Sequence, residues 1–142
     1  MTATIPASAA IPASHRDLLE RPIVVTLVTV MPNGQPQASP VWFMYDGTHI
    51  LINTARGRQK DRNMTADPRV TVLVIDPDNP YRYLEVRGIA VAVETGALDM
   101  INALAKRYRN VDQYYGGVAP LEQGARETRV TYKIRPTHVT TR

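Results

Sequence analysis

Asn53-Thr54-Ala55-Arg56-Gly57-Arg58-Gln59-Lys60-Asp61-Arg62-Asn63 is the stretch on which the reading of this chain turns. The run Thr48 to Asn53 before it is rich in strand-forming residues, and the run Gln59 to Thr65 after it suits a helix. Between them a glycine-containing turn carries Arg56, Arg58, Lys60 and Arg62. The first N–H groups of a helix have no partner inside it and attract negative charge. With Arg58 and Lys60 converging where those groups point, the turn predicts a cradle for an anion, a phosphate first of all.

Toward the N-terminus, Ser14 and Asp17 have the spacing of a capping box with Asp in the place of Glu. They predict a short helix, Ser14 to Glu20, that Pro22 ends, because the residue before a proline is driven out of the helical region. The β-branched run Ile23 to Val30 predicts a strand, and Pro32-Asn33-Gly34 a hairpin turn into a second strand, Pro36 to Tyr45. Asp46-Gly47 leads to a third strand, His49 to Asn53, so an antiparallel meander of three strands is expected. Beyond the basic turn, Asp67-Pro68 breaks the chain and Arg69 to Asp76 forms a fourth strand. In the fifth, Tyr83 to Glu94, Glu85 and Arg87 face one way and Leu84 and Val86 the other. Thr95 is the expected cap of a helix with Ala97, Ile101, Leu104, Ala105 and Tyr108 at helical spacing. Asn110 to Gly124 reads as loop, and Arg129 to Val139 as the sixth strand.

Six strands with only short helices predict a mainly β (α+β) fold, a small six-stranded antiparallel barrel, closed or nearly so. Side chains fill such a barrel, so a cofactor must bind outside it, in a groove completed by loops or by a second subunit. Val41-Trp42-Phe43-Met44-Tyr45 is apolar on both faces, and one face needs a cover other than the core. A homodimer supplies that cover; a helix of the same chain is the alternative.

The 142 residues suit one domain, residues 14–142, behind a disordered lead-in over residues 1–13. The sequence has no cysteine, which excludes disulfides, thiolate nucleophiles and cysteine metal sites. His15, His49 and His138 are scattered, so no metal is expected. A net charge of +4 spread along the chain does not demand nucleic acid, and none is expected as a partner. Residues Met1 to Pro12 have neither a basic start nor a continuous apolar run, so no membrane association is expected and the reading is cytoplasmic. Neither Gly-x-Gly-x-x-Gly nor a P-loop pattern occurs.

The order of these features, through Gln35-Pro36-Gln37-Ala38-Ser39-Pro40-Val41-Trp42-Phe43, Ile52-Asn53-Thr54, Arg58-Gln59-Lys60-Asp61-Arg62-Asn63-Met64 and Asp67-Pro68-Arg69-Val70, resembles the split β-barrel flavin and deazaflavin oxidoreductases. This group includes the pyridoxine-phosphate-oxidase-like proteins, and the chain is most similar to the branch that uses the deazaflavin coenzyme F420. The resemblance spans about Ser14 to Val139. It implies a homodimer with two equivalent grooves at the interface, and hydride transfer to or from a small organic substrate. It places Gln37, Ser39 and Val41 along the ring of the cofactor, and Asn53 and Thr54 near the ribityl chain. Arg58 and Lys60 fall at the phosphate, with Arg56 and Asn63 as further partners, and Tyr81 near the groove, reaching the cofactor of the other subunit. The cofactor carries the reaction, so no catalytic side chain is expected. Four cations in the turn favour F420, whose phosphodiester and glutamate tail reward a longer basic groove. FMN in the same fold, and a protein that holds F420, flavin or haem without turnover, are the alternatives.

Overall fold

The computed structural model describes residues 8–142. Seven antiparallel strands form one curled half-barrel sheet with three α-helices: β1 (Val25–Val30), β2 (Pro36–Val41), β3 (Met44–Tyr45), β4 (Ile50–Ala55), β5 (Arg69–Ile75), β6 (Tyr83–Val93) and β7 (Arg129–Thr141). The helices are α1 (Asp17–Glu20), α2 (Gln59–Ala66) and α3 (Ala97–Arg109), with short 3-10 turns at Ala13–His15 and Leu121–Ala125.

The strand order β2-β1-β5-β6-β7-β4-β3 corrects the expected topology in one respect. The predicted second strand, Pro36 to Tyr45, is two strands: Pro36–Val41 pairs with β1, and Met44–Tyr45 pairs with β4. Trp42 and Phe43 between them belong to neither ladder. The chain here leaves one edge of the sheet and joins the other, so the three strands are no meander and β4 pairs instead with β7. The barrel is thereby split between β2 and the outer half of β4. The free edge of β2 is blunted by Pro36 and Pro40, which offer no N–H for another strand to pair with.

The core lies on the inner face of the sheet. Leu27, Phe43, Ile50, Ile52, Val72, Leu84, Val86, Val130, Tyr132 and Ile134 are buried there, joined by Leu18 and Leu19 of α1 and Met64 of α2. A four-residue helix has no stability of its own; burying its two leucines, at about 1.5–3 kcal/mol each, is what holds α1. Residues 1–7 of the expected lead-in lie outside the described residues. Within residues 8–13, the Ala9 N–H donates to Pro136 O at 2.9 Å and Ile11 joins the core, so the packed domain begins before Ser14. No helix among the described residues is long and apolar enough to cross a membrane.

Ala97, Ile101, Leu104 and Ala105 form the buried face of α3, as their spacing predicts. Its start is different: Gly96, with φ of 76°, stands at the N-cap and no side chain caps the helix, so Thr95 does not have the expected role. The two-sided apolar segment also finds its cover within the chain. Phe43 is buried in the core, whereas Trp42 stacks on Tyr108 of α3 with ring centroids 5.1 Å apart and meets Tyr114 edge-on at 6.3 Å. A helix of the same chain thus covers Trp42, as the alternative expects, while Val41 stays at the open groove.

A bulge interrupts the ladder where β6 meets β7. Arg87 pairs with His138 and Gly88 with Pro136, so Thr137 bulges out of the ladder. A Cβ on Gly88 would stand 2.5 Å from the Arg135 carbonyl oxygen and 2.7 Å from Ile134 Cγ2. Gly88→Ala is expected to lower the unfolding free energy by about 1–3 kcal/mol in urea titration, the usual cost of overpacking.

Candidate functional site

A groove of about 330 Å³ opens at the split. Pro40, Val41 and Trp42 form one wall, Asn53 and Arg129 the sheet side, Ile101 and Leu104 of α3 and Tyr114 the apolar floor, and Arg58 and Lys60 the rim. Four of the residues singled out in the sequence, Val41, Asn53, Arg58 and Lys60, thus meet in one place.

Lys60 is half-buried and makes no hydrogen bond or ion pair with any described residue. Burial, and then the neighbouring charges of Arg58 and Arg129, hold its pKa below the ordinary lysine value. Arg129 had no local signal in the sequence. Its side chain is 5% exposed, and Nε donates to Asn53 Oδ1 at 2.8 Å. Its Nη1 is buried without a hydrogen-bond partner among the described residues, 3.5 Å from Glu127 Oε1. Asn53 is consumed in positioning it, since its amide nitrogen donates to Ala97 O at 2.8 Å and to Thr131 Oγ1 at 3.2 Å. Glu127 also accepts from Arg58 at 3.0 Å, Tyr115 at 2.7 Å and Gln123 at 3.0 Å. Burial works against this carboxylate, but the bonds from Tyr115, Gln123 and Arg58 outweigh it and hold its pKa at about 2. Glu127 thus offsets Arg58 and Arg129 only in part and Lys60 not at all, and the groove keeps an excess of positive charge that suits an anion. A second hollow of about 440 Å³ on the far side of Arg129 is lined by Glu94 and Glu127 and is the poorer anion site of the two.

The other cations of the turn are spent elsewhere. Arg56 bonds Asp61 and Glu94, both at 2.8 Å, and these partners raise its pKa, Glu94 foremost. Arg62 donates to Gly57 O at 2.6 Å and to Gln59 Oε1 at 2.7 Å. The Gly57 N–H is occupied by Asp61 Oδ2 at 2.8 Å. Burial pushes the Asp61 carboxyl up, yet Gly57, Tyr132 and Arg56 together hold it below the usual carboxylate range. The Gly57 N–H, just before the N-cap Arg58, is thus taken by the helix's own aspartate, while Arg58, Lys60 and Arg129 bring positive charge to the groove. Of the turn's four cations only Arg58 and Lys60 line the groove, so its basic stretch is shorter than the sequence predicts.

Of the remaining expected site residues, Gln37 and Ser39 share the face of β2 that carries Val41, with Gln37 accepting from Thr29 Oγ1 at 3.0 Å. The Ser39 and Thr54 hydroxyls are buried without partners among the described residues, Thr54 facing inward from β4. Asn63 is buried on the inner side of α2, where its amide donates to Thr29 Oγ1 at 3.0 Å. Tyr81 is 78% exposed on the β5–β6 loop and does not line this chain's groove. Among the described residues no His, Asp and Glu cluster suited to a metal ion occurs.

The pattern of the pyridoxamine 5'-phosphate oxidase family matches residues 11–142. A solved F420 reductase is 38% identical, over 92% of this chain and 98% of that one, with a TM-score of 0.78. A conserved hypothetical protein from Mycobacterium tuberculosis is 27% identical over 99% of this chain and 89% of that one, with a TM-score of 0.72. A haem storage protein from Vibrio cholerae, 15% identical over 90% of this chain and 92% of that one, shares the fold at a TM-score of 0.66. The matched pattern spans every strand of the curled sheet together with the split and its groove, and the chain belongs to the pyridoxamine 5'-phosphate oxidase family.

Proposed function

We infer that the protein is an F420-dependent oxidoreductase that moves a hydride between the deazaflavin and a small organic substrate. The observation that carries this reading is the partnerless Lys60 beside Arg58 and the orphaned Nη1 of Arg129, at the rim of a groove with an apolar floor. Charged end and apolar floor match a ligand with a phosphate at one end and a flat ring at the other. The likeness to an F420 reductase supports the deazaflavin over other flat-ring cofactors. FMN is the second reading, favoured by the compactness of the cationic cluster once Arg56 and Arg62 are set aside.

Lys60, Arg58 and Arg129 would hold the phosphate, with Arg offering paired N–H donors and Lys a compact charge. Val41, Trp42, Ile101 and Leu104 would pack against the apolar part of such a ligand and keep water from it. The cofactor supplies hydride chemistry when bound. The chain's own part is to bind and orient.

We place a second copy of the chain over the groove's open side. Val24, which lines the groove, is 56% exposed, and with the 44% exposed Ile75 it borders a neighbouring apolar hollow. A partner seated there would close the groove as it covers these side chains.

Titration of F420 and FMN, followed through the single tryptophan, Trp42, is expected to show tighter binding of F420. Reversed affinities would transfer the reading to FMN, and reduced cofactor without turnover of any acceptor would reduce it to a carrier. Lys60→Ala is expected to weaken cofactor binding by about 1–3 kcal/mol, with a smaller change in kcat at saturation, because a phosphate contact is alike in ground and transition states. The same affinity in the wild type should fall as pH rises through the lowered pKa of Lys60, below the ordinary 10.5, because the cationic form is the one that binds. Ile75→Glu is expected to yield monomers in sedimentation velocity together with weaker cofactor binding; a monomeric wild type that binds cofactor would remove the dimer from the reading.

A further inference from the structure

Between the basic turn and β2 runs a chain of side-chain hydrogen bonds whose direction is fixed from one end. An arginine only donates, so the Arg62 Nη2 contact at 2.7 Å makes Gln59 Oε1 an acceptor. The Gln59 amide nitrogen must then be the atom that donates to Asn63 Oδ1 at 2.7 Å. This turns the Asn63 nitrogen toward Thr29 Oγ1 at 3.0 Å, and toward Met31 Sδ at 3.3 Å, a group that can only accept. Having accepted from Asn63, the Thr29 hydroxyl has its single proton left for Gln37 Oε1 at 3.0 Å. Gln37 therefore holds its carbonyl inward and its NH₂ outward, and that NH₂ has no partner among the described residues.

The position of this amide gives the polarity a use. Gln37 shares its face of β2 with Val41, which lines the groove. Asn63, the link before Thr29, lies one helical turn from Lys60 on α2, so the chain runs beside the groove's cationic rim. We propose that Arg62, Gln59, Asn63 and Thr29 are positioning residues that lock Gln37 as a hydrogen-bond donor, selecting a carbonyl oxygen or unprotonated ring nitrogen on the groove's occupant. This rests on the reading of the groove as a site for a ring-bearing phosphate. An unconstrained glutamine rotates its amide to suit donor or acceptor; turning this one over would leave the buried Thr29 proton without an acceptor among the described residues, so a donor on the occupant is disfavoured at that place.

The test separates ring from anion and unliganded from bound protein. Thr29→Val removes the last link with little change of shape, and Thr29→Ser restores it. With F420 as probe, Thr29→Val is expected to bind roughly five- to tenfold more weakly and Thr29→Ser close to the wild type, the scale of one neutral hydrogen bond. Inorganic pyrophosphate, which has no ring, should bind all three alike. Equal F420 affinity in Thr29→Val, failure of Thr29→Ser to restore it, or a parallel loss for pyrophosphate would overturn the proposal. Gln59→Glu, a half-buried and isosteric change, still accepts from Arg62 but cannot donate to Asn63. In ¹H–¹⁵N spectra of the unliganded protein it should shift the Gln37 side-chain amide, identified by its absence from Gln37→Leu; an unmoved signal would also overturn the proposal. A wild type that binds neither F420 nor FMN, with the amide shift present, would bring down the functional reading and the ligand role of Gln37 while the direction of the chain stands.

Discussion

The fold depends on how the chain crosses from one edge of a curled sheet to the other at Trp42 and Phe43. Leaving both ladders costs the backbone its strand partners there, and unpaired groups away from water are expensive. Tyr108 meets that cost from α3. Its hydroxyl donates to Ile23 O at 2.7 Å and accepts the Phe43 N–H at 3.1 Å, joining the start of β1 to the crossing segment. Burial raises the Tyr108 pKa, though the Phe43 bond and Arg107 oppose it, so the phenol stays a donor. With Trp42 stacked on the same ring, one side chain holds α3, the crossing and the groove wall in register.

The basic turn shows how a fold sorts similar charges into different roles. Arg56 and Arg62 anchor the turn, one through Asp61 and Glu94, the other through Gly57 and Gln59. Anchoring of this kind fixes the backbone and leaves little charge to offer a ligand. Arg58 is half-committed to Glu127, and Lys60 to none of the described residues. The usable charge of the groove then comes as much from Arg129, seventy residues away, as from the turn itself. Because Glu127 is ionised down to about pH 2, this balance is constant across ordinary pH, and Lys60 is the group that changes it on the alkaline side.

Periodicity and turn residues determined most of the secondary structure: β1, β4, β5, β6, β7 and the buried face of α3 lie close to where β-branched runs, Asn-Gly, Asp-Gly and the i, i+4 spacing put them. These are local effects of backbone sterics and one-sided burial. The position of Lys60 and Arg58 at the groove was legible for the same reason, since the strand, the glycine and the short helix are adjacent in sequence. Tertiary structure alone decided the rest. Nothing local marks Trp42 and Phe43 as a crossing rather than strand, because the same apolar residues serve either; the β4–β7 pairing decides it. Nor does any local signal bring Arg129 to Lys60, cover Trp42 with Tyr108, or turn Arg56 away to Asp61 and Glu94. Whether a charged side chain faces a ligand or a neighbour depends on which opposite charges the fold brings within reach, and that follows only from long-range pairing of the sheet.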